Sequence, residues 1–286
     1  MKNLSEREGT LYLESTRLDQ IAQQYDTPCY VYSRHTIEEN WDAFDQAFGH
    51  HPHLVCYAVK ANSNLSILSL LANKGSGFDI VSGGELERVL RAGGKPDKIV
   101  FSGVGKTADE IRYALEKNIR CFNVESESEL AHINDIALAN NKVAPVSLRI
   151  NPDVDAKTHA KITTGRKENK FGIDIERAPD MFALAAELEN ISLNSMSVHI
   201  GSQLMDVTPY RAGNDRPRGM AVYIRRQGYK VDRLERGGGI GISSDGSTPP
   251  DLAEYAEAVK DTVGDLDCRL SVEPDRYLVG NEGYFM

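Results

Sequence analysis

The stretch "CYAVKANSN", residues 56–64, ends an apolar, β-like run on a lysine and follows it at once with the turn-prone "ANSN". An ammonium is strongly hydrated, so a strand end that aims Lys60 into a barrel or cleft leaves part of its solvation unmet unless something there uses the amine. A lysine that only caps a strand and reaches back to water is the ordinary alternative. The choice turns on whether "LVCYAV" (54–59) stands alone or belongs to a set.

It is the first of eight such runs. The others are "GFDIV" (77–81), "KIVFS" (98–102), "RCFNV" (120–124), "PVSLRI" (145–150), "SMSVHI" (195–200), "RLERG" (233–237) and "CRLSVE" (268–273). Between them lie helical patterns such as "GGELERVLRAGG" and "TADEIRYALEKN", several opened by a polar N-cap and closed by glycine or asparagine. Eight βα repeats in about 220 residues predict a (β/α)8 TIM barrel rather than an open doubly wound sheet. Residues 1–50 stand outside this rhythm: "TLYLES" and "CYVYS" read as strands around a helix "RLDQIAQQY", followed by a helix "RHTIEENWDAFDQAF". The expected organisation is an N-terminal extension (1–50) ahead of a barrel (51–286).

The 286 residues are 41% hydrophobic, enough for a large core, and carry a net charge of -9. No Lys/Arg block interrupts that acidic balance, which argues against nucleic-acid and anionic-membrane partners and for a small-molecule substrate. No apolar run approaches the roughly 20 residues that cross a bilayer, and the N-terminal residues lack the apolar core of a secretory signal. The cytoplasm is the expected location. Cys29, Cys56, Cys121 and Cys268 are scattered and form no C-x-x-C pair, so they read as reduced thiols.

In such a barrel the chemistry sits where the strands end. Run one ends at Lys60, and run two carries Asp79 before Ser82 and "GGE". Run five carries Arg149 and then Asn151, and run six ends with His199 and "GSQ". Run seven enters "GGGIG" (237–241), and run eight ends at Glu273 before "PDR". Successive glycines let backbone N–H groups approach an anion, and barrels of this class often hold a phosphate after strands seven and eight; a tight turn without a ligand explains them equally well. His199 alone fits a core histidine and Glu273 alone an ion-pair member. Together at one rim they suit pyridoxal 5'-phosphate, with a lysine to bond it, glycines for its phosphate and a carboxylate for its ring nitrogen. No cluster has metal-ligand spacing.

"YAVKAN", "GFDIVSGGEL", "LRINPDVDAKTHAKITTGRKENKFGI", "VHIGSQ", "GGGIGI" and "EPDRYLVGN" together resemble the diaminopimelate decarboxylase family, pyridoxal phosphate enzymes with an alanine-racemase-like barrel. The likeness runs over essentially the whole chain. Its segment from Asn151 to Gly172 separates this family from the ornithine and arginine decarboxylases. The resemblance implies that Lys60 is the Schiff-base lysine and that His199 stacks on the cofactor ring. Ser202, Gly237, Gly238 and Gly239 would hold the phosphate, and Arg149 would face the ring-oxygen side. Glu273 would pair with the ring nitrogen, Asp79 would belong to the same cofactor set, and Arg276 would bind cofactor and the substrate carboxylate. The implied reaction converts meso-2,6-diaminopimelate to L-lysine and carbon dioxide. A carboxylate on the ring nitrogen strengthens the electron sink, which favours a decarboxylase over a racemase.

Family members continue into a β-sheet domain that supplies a cysteine proton donor, a tyrosine and dimer contacts. This chain stops at "GNEGYFM", so the N-terminal strands are expected to lack partners, and the family homodimer is not expected of it. Two further departures stand out. Asp275 replaces the family's glycine in "EPGR", and Gly213, Asn214 and Pro217 are expected to break the helix between runs six and seven. Run seven also carries two charges, Glu235 and Arg236. The alternatives are a catalytically incompetent, cofactor-binding barrel and a decarboxylase of another basic amino acid.

Overall fold

The computed structural model describes residues 3–152, 171–212, 215–243 and 246–286. The alternating runs become strands whose odd and even positions face opposite ways. On the strand Ala144–Asn151, Val146, Leu148 and Ile150 join the main apolar core, while Ser147 and Arg149 face the other side.

In chain order the elements are β1 (Leu4–Arg7), β2 (Thr10–Leu13), β3 (Thr16–Arg17), α1 (Leu18–Tyr25), β4 (Tyr30–Tyr32) and α2 (Arg34–Ala47). The repeats follow as β5 (His53–Ala58), α3 (Leu65–Asn73), β6 (Gly77–Ile80), α4 (Gly83–Arg91), β7 (Ile99–Phe101), α5 (Ala108–Lys117), β8 (Cys121–Val124), α6 (Glu127–Ala139) and β9 (Ala144–Asn151). Next come β10 (Ile173–Asp174), α7 (Ala178–Glu187), β11 (Ile191–Val198), α8 (Thr208–Ala212), α9 (Asp215–Arg226) and β12 (Arg233–Gly237). The chain continues through α10 (Leu252–Val263), β13 (Arg269–Glu273), α11 (Arg276–Val279) and β14 (Gly283–Phe285).

Strands β5 to β9 and β11 to β13 pair in parallel, β13 closes on β5, and the circle is the expected eight-stranded barrel. β10 is an added edge beside β9. Helix starts follow the caps read in the sequence: Ser82 accepts from the Glu85 N–H, and Thr107 forms a capping box with Glu110. The barrel interior is unusually polar, with Ser147, Ser197, Ser271 and Glu235 buried above a small plug of Cys56, Val100 and Cys121. The paired charges of run seven point opposite ways. Glu235 takes the position facing Cys121 Sγ at 3.4 Å, whereas Arg236 lies against the Tyr210 carbonyl at 3.5 Å.

Two expectations need correction. The N-terminal strands have partners: β2 pairs with β1 and β3, and β4 pairs antiparallel with β14, a strand from the "GYF" tail. Pro217 does not break its helix. It is the third residue of α9, where a missing N–H has no intrahelical acceptor to lose. The expected break at Gly213 and Asn214 falls outside the described residues. α2 packs Ile37, Trp41 and Phe44 into the same core cluster as the barrel helices, so the N-terminal extension shares the barrel's core.

Candidate functional site

Lys60 is the second residue past β5, in a single 3-10 turn, Val59–Ala61, which the Tyr57 hydroxyl braces by donating to the Asn62 carbonyl at 3.1 Å. The Ala58 N–H donates to the Pro274 carbonyl, which ties this turn to the exit of β13. The Lys60 side chain is 53% exposed, and its Nζ lies 4.0 Å from Oδ2 of Asp79, which is buried on β6. Lys60, Asp79, Arg149, His199, Gly237 and Glu273 line one cavity of about 220 Å³ at the C-terminal end of the barrel.

The electrostatics of this cavity are set by burial. Desolvation pushes the Glu273 carboxyl well above the usual range, and the charges of Asp79 and Glu235 push it the same way. Asp79 is also raised by burial, against the opposing pull of Lys60. His199 is held well below its usual range by burial and then by Arg149 and Lys60, so its imidazole is neutral. Asp79 Oδ1 and Glu273 Oε1 are buried acceptors without a hydrogen-bond partner. Such atoms are costly unless something fills the cavity beside them.

A second cavity, of about 540 Å³, shares Lys60 and His199 with the first and is bordered by Tyr30, Ser202, Asp275 and Arg276. Here the unpartnered buried atoms are Ser202 Oγ, a hydroxyl that can donate or accept, and Arg276 Nε, a donor. Gln203 knits the surrounding loops, its amide donating to the Ile242 carbonyl at 2.6 Å while its oxygen accepts from the Ile242 N–H and from Arg276. Asp275 turns inward on its own loop and accepts from the Arg276 N–H at 2.6 Å.

The glycine run serves close packing. A Cβ on Gly237 would overlap the His199 ring, and one on Gly238 would overlap the Glu273 carbonyl. The Gly238 N–H already donates to that carbonyl at 3.0 Å, so it is not offered to an anion. Gly239, at φ +79°, is crowded by the Gly201 carbonyl. The glycines therefore let three strand ends converge and bring His199 and Glu273 to one cavity.

Every predicted site residue borders one of the two cavities except Gly238 and Gly239. Residues 153–170 of the Asn151–Gly172 segment lie outside the described residues. Sequence reasoning missed Glu125, Gln203 and Tyr30. For Glu125 a signal exists, an acidic residue directly after run four, but that run ends on an apolar valine, which does not itself mark the rim. Among the described residues no cysteine lines either cavity.

Two buried carboxyls on one side, a hydroxyl and a guanidinium on the other, and an amine where the two cavities meet fit a ligand with a cationic ring nitrogen, a carbonyl and a phosphate. Pyridoxal phosphate has those three groups. Residues 34–280 match the family described as "Pyridoxal-dependent decarboxylase, pyridoxal binding domain". The diaminopimelate decarboxylase of Haemophilus influenzae is 49% identical over 278 residues, 97% of this chain and 67% of that protein, so this chain spans about two thirds of its relative's length. The crystal structure of the Helicobacter pylori diaminopimelate decarboxylase, complexed with L-lysine, superposes with a TM-score of 0.91 at 42% identity, over 94% of this chain and 68% of that one. A lysine decarboxylase from Selenomonas ruminantium has the same fold at a TM-score of 0.84 but only 26% identity, over 99% of this chain and 69% of that one. By fold, by site and by these similarities, the chain belongs to the pyridoxal-dependent decarboxylases, on their diaminopimelate decarboxylase branch.

Proposed function

We propose that this chain carries the cofactor-binding barrel of a diaminopimelate decarboxylase, which removes carbon dioxide from the D-configured centre of meso-2,6-diaminopimelate and leaves L-lysine. The observation that carries the proposal is the arrangement of unpartnered buried groups about Lys60: the carboxyls of Asp79 and Glu273 in one cavity, the Ser202 hydroxyl and the Arg276 guanidinium in the other.

Bound across both cavities, pyridoxal phosphate would supply an electron sink for the pair released when carbon dioxide departs. Glu273 is placed to meet a positive ring nitrogen, which would draw its carboxyl back to the ionised form that burial now opposes. His199 offers a neutral, flat face and adds no competing charge. Lys60 reaches both cavities and is the residue to hold the cofactor covalently, with Asp79 orienting its amine. Ser202 and Arg276 donate toward anionic groups, the cofactor phosphate or a substrate carboxylate. Arg149 brings a fixed positive charge to the cavity wall. The partners are thus small molecules. We place the reaction in the cytoplasm, where amino-acid biosynthesis runs, and no described helix is long and apolar enough to cross a membrane.

The test is a titration of the chain with pyridoxal phosphate, followed by its visible absorption. A protein-bound band that Lys60→Ala abolishes, with carbon dioxide released from meso-diaminopimelate, is the expected result. A folded chain that develops no band overturns the cofactor assignment. Release from lysine or ornithine alone would move the substrate to the related decarboxylases.

A further inference from the structure

Glu125 is the first residue after β8, and its side chain is only 2% exposed. Both of its oxygens are engaged. Oε1 accepts from Arg149 Nη1 at 3.0 Å, and Oε2 accepts from the Gly172 N–H at 3.1 Å. Its own N–H donates to Glu129 Oε2 at 2.7 Å, while the other oxygen of Glu129 holds the Lys106 ammonium at 2.6 Å. The carboxylate is therefore anchored from behind before it grips anything in front.

What it grips is one wall of the cavity. The Arg149 guanidinium lies 5.2 Å from the centre of the Phe171 ring, so it is held between a carboxylate and an aromatic face. Gly172, at φ +78°, turns the backbone close against Asn151 and Arg149, and Ile173 then pairs with Ile150. A partly buried arginine side chain has many rotamers and one useful position. Something must choose it.

We propose that Glu125 is the positioning residue of this site: one oxygen sets the Arg149 guanidinium against the cavity, and the other fixes Phe171 and Gly172 beside it. Only its effect on cofactor binding rests on the pyridoxal phosphate reading; the clamp itself does not. Glutamine is the informative replacement. It keeps the shape but has a single acceptor oxygen, and its amide group meets a donor whichever way it is turned.

Arg149 is first probed in the cofactor-free chain with an arginine-specific dicarbonyl reagent, the adduct being mapped by mass spectrometry. Glu125→Gln is expected to speed modification of Arg149 about tenfold, the scale of one lost charge-assisted hydrogen bond, while the other arginines keep their rates. An unchanged Arg149 rate in the folded variant overturns the clamp. The second measurement is a cycle of Glu125→Gln, Arg149→Met and the double variant, read as the pyridoxal phosphate dissociation constant from the visible band. If Glu125 acts through Arg149, the double variant binds no worse than Arg149→Met alone. Losses that add in full overturn the proposal. A wild-type chain without any band would defeat the cofactor reading, and the dicarbonyl rates would still decide the clamp.

Discussion

Two lysines stand at the same end of the barrel, Lys60 after β5 and Lys106 after β7, and their surroundings are opposites. The Lys106 side chain is 1% exposed, and its ammonium donates to the Gly103 and Asn123 carbonyls and to Glu129 at 2.6–2.8 Å, using all three of its donors. Lys60 is half exposed and has one carboxylate, at 4.0 Å. The contrast shows how the same residue type becomes structural or reactive. An amine whose donors are all committed has nothing left to offer a carbonyl, and an amine kept at arm's length from a single carboxylate does.

Exchanging roles should fail most visibly at Lys106. Lys106→Ala leaves the Glu129 carboxylate and two carbonyls without their donor, and a loss of about 3–5 kcal/mol is expected from denaturant unfolding, the scale for breaking a buried pair from one side. A loss near zero would mean that Lys106 is not the structural member of the pair. The surroundings of Lys60 are tested next through Asp275, whose carboxylate occupies the Arg276 N–H beside the outer cavity. Asp275→Gly frees that N–H and removes a negative charge. Binding of pyridoxal phosphate or inorganic phosphate is expected to tighten about tenfold, or roughly 1.4 kcal/mol, read by equilibrium titration.

A smaller effect is expected at Glu273, and it has a sign in pH. Its folded carboxyl is raised above the unfolded value, so its contribution to stability is intact below about pH 4.5 and is lost as pH rises through the folded value. Glu273→Gln removes that loss. The cofactor-free variant should melt higher than the parent at neutral pH, by about 2 °C for roughly 1 kcal/mol, with the gap closing in acid and cofactor binding weakened. A gap that widens in acid would reverse the assignment. The smallest stability change belongs to Lys60 itself: Lys60→Ala should leave unfolding free energy within about 0.5 kcal/mol of the parent while abolishing the visible band. A large destabilisation would erase the distinction between the two lysines.

The barrel was legible because its outward positions are apolar and alternate, so even "RLERG" kept its place with Leu234 as its outward residue. The rim residues were legible because each stands at or just past the end of such a run, as Lys60, His199 and Glu273 do. The strands β1 and β14 carry no such signal, and although "CYVYS" reads as a strand, nothing in it says what β4 pairs with. They are three or four residues long, and β4 and β14 are defined by each other across the chain. The packing role of the glycines has no local signal for a related cause: their neighbours, His199 and the Glu273 carbonyl, are distant in sequence, and only the closed barrel brings them against Gly237 and Gly238. Glu125 and Gln203 act by bridging loops, which no local pattern announces.

The pairing of β4 with β14 also bears on how the molecule is made. Tyr30–Tyr32 leave the ribosome about 250 residues before Gly283–Phe285, and at roughly 5–20 residues per second that is a wait of about 12–50 seconds. During that interval the edge of β4 and its two tyrosines have no strand beside them, and the β5–β13 seam of the barrel is also open. Nascent chains should therefore be most exposed to chaperones and proteases around residues 30–32, and that protection should arrive last.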